Sequence, residues 1–199
     1  GDGSVSTQPD QAVVSVVVVA EGDDPAVVRD RLANGSADLR AALRDAGVPE
    51  DAVTTTEYRL RETPPGRERE QSDAPAYTGV HAFEVTVSDT DRAGTVVDAA
   101  ASAGAEVRFL RFTLAEETRE RLRDESLRSA VSDARGQAVT LADASDLSVT
   151  GVHSIDATDR NFSPVRYEAA AASGDAGTTI ETGDVTVSTT VRVVFNATG

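Results

Sequence analysis

Val13 to Ala20 reads VVSVVVVA, and a run of this kind has few places to go. β-branched side chains are stiff at χ1 and pack best on the pleated surface of a strand. The run does not alternate with polar residues, so neither face can be left to water. It calls for a strand covered on both sides, at the middle of a sheet. The next segment is equally legible. In GDDP, Asp24 stands where a helix N-cap is needed and Pro25 at the first helical position, where the missing N–H is no loss. Val28, Leu32, Leu39 and Leu43 then share one helical face, and Gly47 ends the helix as its C-terminal glycine. Pro49 prevents the helix resuming, and Val53 to Arg61 is the next strand.

The rest of the chain continues the alternation. Glu62 to Pro75 (ETPPGREREQSDAP) is polar and proline-rich and is expected to be an irregular loop joining two strands. Tyr77 to Val87 alternates, with Tyr77, His81, Phe83, Val85 and Val87 on one face. SDTD caps a short helix that carries Val96, Val97 and Ala100 and closes at Gly104. Val107 to Leu114 is a strand whose apolar phase slips between Phe109 and Leu110, the mark of a bulge. The longest helix runs from Glu116 to about Asp143, with acids crowding its first turn as the helix dipole favours. Its inner seam is expected to be Ala130, Ala134, Ala138, Leu141 and Ala142. Leu147 to Ile155 is a strand, and residues 157–182, centred on AAAASGDAG, are expected to be irregular. In the last strand Val185, Val187, Thr189, Val191, Val193 and Phe195 face one way. The order β-α-β-β-α-β-α-β-β gives an α+β fold with a mixed, largely antiparallel sheet or sheets packed by helices. Its first six elements suit a split βαβ sandwich. The 199 residues suffice for a single domain, or for two small intertwined lobes.

Charge narrows the setting. There are 34 acidic residues against 19 basic ones, net −15, and no Lys at all. Such a charge works against the compact state unless salt screens it, and near molar salt the Debye length falls to about 3 Å. The composition is that of a protein from a halophilic archaeon, with solvent cations as constant partners. A surface this acidic argues against nucleic acid and anionic membranes as partners, both of which need a basic footprint. No apolar run approaches the roughly 20 residues of a membrane span. With no Met, the chain is expected to be a processed product with a signal segment upstream. With no Cys, it has no disulfide and no thiolate site. All three Asn head glycosylation sequons: NGS at Asn34, NFS at Asn161 and NAT at Asn196. By chance that is roughly a one-per-cent coincidence under the sequon rule, which points to an exported glycoprotein.

Five ordered stretches carry a family resemblance. They are GSVSTQPDQAVVSV near the start, LRAALRDAGVPEDAVTTTEYRL, and YTGVHAFEVTVSDTDRAGTVVDAAASAGA. LRDESLRSAVSDARGQAVTLADASDLSVTGVHSID and ETGDVTVSTTVRVVF complete the set. Their order resembles the SIMPL-domain family, the exported proteins known as periplasmic immunogenic or oxidative-stress-defence proteins. The resemblance implies an envelope location and, in some members, large ring-shaped homo-oligomers. It implies no catalytic residues and no cofactor. Asn34 also stands where many members carry an Asn within the first helix.

The residues themselves offer little chemistry. His81 and His153 both fall on the apolar phase of their strands, His153 with Leu147, Val149 and Ile155. Were those strands adjacent, the pair could serve a metal or acid–base role; otherwise each is a half-buried ring with a hydrogen bond. No zinc-protease, serine-hydrolase, P-loop or dinucleotide motif is present. DTD at Asp89 to Asp91 resembles a fragment of a calcium loop but reads better as a helix cap. Three functions are compatible with these residues: a non-enzymatic, self-associating envelope protein; a monomeric surface module binding through its irregular loops; and, remotely, a hydrolase or metal enzyme using His81 and His153. The first also draws on Val185 to Phe195, which has no Pro or Lys and is expected to be an edge strand covered by Val13 to Ala20. The small Ala130, Ala134, Ala138 ridge would let another element approach closely.

Overall fold

The computed structural model describes residues 1–62, 75–163, 165–167 and 182–199. In chain order the elements are β1 (Asp2–Thr7), β2 (Gln11–Gly22), α1 (Pro25–Asp45), β3 (Val53–Glu62), β4 (Tyr77–Val87), α2 (Ala93–Ser102), β5 (Glu106–Thr113), α3 (Glu116–Asp143), β6 (Ser148–Ser163), β7 (Val165–Tyr167) and β8 (Val185–Thr198). They form two compact units. One comprises Gln11–Phe112 with Arg166–Glu181, the other Gly1–Asp10, Thr113–Val165 and Thr182–Gly199.

The first unit is built on β2. Val14, Val16 and Val17 are fully buried, and Val13 and Ser15 nearly so, so the strand is covered on both faces as its composition requires. Burying each of these valine side chains contributes about 1.5–3 kcal/mol. The five-stranded sheet has the order β3-β4-β2-β5-β7, with β4 antiparallel to both β2 and β3. Taken over β2, α1, β3, β4, α2 and β5, this is the split βαβ sandwich. Val28, Leu32, Leu39 and Leu43 of α1 join Val96 and Ala100 of α2, Phe83 and Val85 of β4, and Leu110 and Phe112 of β5 in one core. At the start of α1 the Asp24 carboxylate accepts the Ala26 N–H at 2.7 Å. At its end Val48 N–H donates to Leu43 O and Gly47 N–H to Arg44 O, a Schellman closure that places Gly47 at φ +77°. The end of α2 repeats it, with Ala105 donating to Ala100, Gly104 to Ala101, and Gly104 at φ +76°.

The second unit lays α3 on a three-stranded antiparallel sheet of order β1-β8-β6. Leu114 and Leu122 meet Val5, Val185 and Val187; further along, Ala130 and Ala134 meet Val191, Val193 and Phe195. Asp10 fixes the start of α3 from far away in sequence, accepting the Ala115 N–H at 2.7 Å and the Thr118 hydroxyl.

Several expectations change here. The inner face of α3 is Leu122, Ser126, Ala130, Ala134 and Ala142; Ala138 is only half-buried and Leu141 is 70% exposed. Its small residues receive this chain's own backbone. An ideal Cβ on Gly3 of β1 would lie 1.9 Å from Ser126 O, so β1 docks at main-chain distance. β8 is not an edge strand covered by Val13–Ala20. It is the middle strand of its sheet, flanked by β1 and β6. The segment after Ile155 is not irregular throughout, since β6 continues to Ser163 and β7 comes after it; residues 168–181 lie outside the described residues. Nearly all of the Glu62–Pro75 loop also lies outside them. Among the described residues, no helix is long and apolar enough to cross a membrane.

Candidate functional site

His81 sits on β4 in the face that meets α1. Its Nδ1 is 2.8 Å from the Ser36 hydroxyl of α1 and its Nε2 is 3.3 Å from the Thr55 hydroxyl of β3. A hydroxyl can donate or accept, so both contacts suit either neutral tautomer of the ring. Phe83, two residues along the same face, lies 4.1 Å away between ring centroids, and Tyr58 meets the imidazole edge-on at 5.1 Å. The Arg40 guanidinium, one turn beyond Ser36, stands 5.0 Å over the Phe83 ring. Burial of the imidazole, and then the positive charge of Arg40, hold His81 below the ordinary histidine range. The ring is therefore neutral at neutral pH. Ser36 is only 3% exposed, so a substrate carbonyl could reach its hydroxyl only if α1 moved.

Just along the groove from Arg40 is a cavity of about 250 Å³ lined by Arg40, Leu43, Arg44, Val48, Glu50 and Val53. Leu43 and Val48 form an almost wholly buried apolar floor. Arg44 is committed to Glu50 at 2.9 Å. Sequence reading missed this groove because its walls come from both sides of the Gly47 turn. For the His81 contact a signal was available: Ser36 interrupts an otherwise apolar stripe of Leu32, Leu39 and Leu43.

His153 is placed differently. It is exposed on β6, at a register shift between Val152 and Ser154 against β8. The bulge removes it from the apolar phase read from sequence. β4 and β6 belong to different sheets, so the two histidines are not neighbours on one sheet. Among the described residues, no three His, Asp or Glu side chains are grouped to hold a metal ion. Asp89 accepts the Asp91 N–H at 3.2 Å in the turn before α2. Of the three sequon residues, Asn34 is exposed on the body of α1 and Asn196 is exposed on β8. Asn161 falls within strand β6, not in an irregular segment, and its side chain lies outside the described residues.

Two sheet edges complete the candidate surfaces. Among the described residues β3 is paired on one side only, and Tyr58 and Leu60, which share a face with His81 and Gly79, are 54% and 39% exposed. Among the described residues β6 is one of the two outer strands of the other sheet. Val152 and Ile155, opposite Phe195 and Val193, are 51% and 50% exposed beside the part that α3 covers.

Fold and surfaces define a class: an α+β protein of two units interleaved in sequence, a split βαβ sandwich and a helix-backed antiparallel sheet, with a small groove beside α1. Residues 1–195 match the SIMPL family, described as a protein of unknown function (DUF541), and the chain belongs to that family. It is also similar to the uncharacterized protein YggE of Edwardsiella ictaluri (strain 93-146), at 28% identity over 98% of this chain and 84% of that protein.

Proposed function

We propose that the chain is an exported, non-enzymatic protein of the cell envelope that works as an assembly of its own copies. The observation that carries this reading is the pair of edge strands, β3 and β6, each displaying large apolar side chains on the helix-bearing side of its sheet. An edge presents a row of N–H and C=O groups ready to pair with another chain. Neither edge carries Lys or Pro within its described side chains, and β3 holds only Glu57, Arg59, Arg61 and Glu62 as charged residues. Bringing together copies at −15 each requires screening, so solvent cations belong to the assembly. Export is supported by the three sequons, two of which place exposed Asn side chains at the surface.

Light scattering on a size column tests the assembly. The expected result is an oligomer in molar salt and a smaller species in dilute buffer, with Val152→Asp/Ile155→Asp giving the smaller species in both. A strict monomer in molar salt rejects the assembly and leaves a monomeric binding module ahead.

A further inference from the structure

We propose that the groove between α1 and β3 is a binding site for a small carboxylate with an apolar body, held by Arg40. The charge pattern comes first. Two guanidiniums and one carboxylate line the cavity, and Glu50 is taken by Arg44 at 2.9 Å. Among the described residues Arg40 has no carboxylate partner, in a chain where acids outnumber arginines 34 to 19. Its contact is the Phe83 ring, 5.0 Å beneath the guanidinium. That ring, fully buried, orients the cation without neutralising it. A planar guanidinium so held presents paired N–H donors that match a carboxylate in two parallel hydrogen bonds.

The rest of the lining specifies the other end of the ligand. Leu43 is 1% and Val48 is 7% exposed, yet both face the cavity, and Val53 completes the floor. Apolar surface at the bottom and a cation at the rim suit an acid whose body is a ring or a short aliphatic chain. At about 250 Å³ the space is just below the roughly 300–1,000 Å³ of drug-sized sites. It fits a small acid better than a nucleotide or a flavin. The site requires no second copy, so it stands whether or not the chain assembles.

Benzoate titrated into the intact chain, followed by NMR of the Leu43, Val48 and Val53 methyls and the His81 ring, tests the site. Benzamide has the same shape without the charge and serves as control. Saturable shifts at these methyls with benzoate, and affinity weaker by about tenfold or more with benzamide, are expected. Arg40→Gln should weaken benzoate by about the same factor, and Arg40→Lys by less. Val53→Phe, which fills the cavity and leaves Arg40 in place, should abolish binding while the other resonances stay native. His81 gives an independent readout, because a bound carboxylate offsets the Arg40 charge that helps to depress it. Its titration should rise with saturating benzoate in the native chain and stay put in Arg40→Gln. Equal binding of benzamide, unchanged affinity in Arg40→Gln, or no saturable shift at the three methyls would each overturn the proposal and reduce the cavity to a packing gap.

Discussion

Gly47 and Asp146 occupy equivalent backbone positions at the ends of two helices, and only one of them is the residue the position favours. Both have positive φ, +77° and 55°. Both stand in Schellman closures: Leu147 N–H donates to Ala142 O and Asp146 N–H to Asp143 O, as Val48 and Gly47 do at α1. A side chain in this region costs about 1–2 kcal/mol, less for Asp, which tolerates it. Gly47→Val should therefore lower stability by about 1 kcal/mol or more, the added Cβ also meeting the Arg92 side chain at 2.7 Å. Asp146→Gly should raise stability by up to about 1 kcal/mol, offset in part by a freer unfolded chain. Urea midpoints at fixed high salt measure both. A neutral Gly47→Val would mean that the end of α1 is held by something other than its turn.

Among the elements, β1 depends most on its neighbour. GDGSVST has neither the length nor the apolar content to announce a strand, and β1 forms because α3 offers it a face of Ser126, Ala130 and Ala134. The Gly3 position lies against backbone: Ser126 O at 1.9 Å and Ala130 N at 2.6 Å from an ideal Cβ. Helix main chain cannot move aside as a flexible side chain can. Gly3→Val should destabilise the chain by about 1–3 kcal/mol, as overpacking does, and should speed hydrogen exchange at the β1–β8 pairs. Ser4→Val, on the exposed side of the same strand, should do neither. Equal effects of the two substitutions would refute the close docking. The contrast marks the boundary of what was legible from residues alone. Wherever one segment carried its own pattern, as β2, α1, β4 and α3 do, type and extent were legible, and the split βαβ order came from them. Features that depended on a distant partner were not. β8 has the look of an edge strand until β1 and β6 flank it, and β6 hides its length behind three register shifts. The Asp10 cap on α3 spans 105 residues. The Ser36–His81 contact was hidden for the same reason, its partners being 45 residues apart; the groove was hidden because its walls meet only once the chain turns at Gly47.

At the scale of the whole molecule, the balance between core and charge decides under what conditions the fold exists. Domain stabilities are small differences, about 5–15 kcal/mol, and this chain divides its core between two units. The buried set is dominated by Val and Ala, with no Trp and five Phe in the chain, so each unit gains modestly from burial. Against that stands a net charge of −15. Surface ion pairs do little to offset it: Arg29–Asp30, Arg44–Glu50 and Arg128–Asp124 are all more than half exposed, and exposed pairs contribute about 0–1 kcal/mol each. Self-repulsion acts over distances that salt shortens, from about 30 Å at 0.01 M to about 3 Å at 1 M. Stability should therefore rise steeply with salt. Circular dichroism from molar to millimolar salt should show a falling melting point and then loss of structure. The helix-backed three-stranded unit should yield first, because its two buried clusters are the smaller ones. Hydrogen exchange should find α3 and β8 opening while β2 and β4 remain protected. If the melting point does not move with salt, repulsion is not what limits this fold, and the halophilic reading of its composition fails with it.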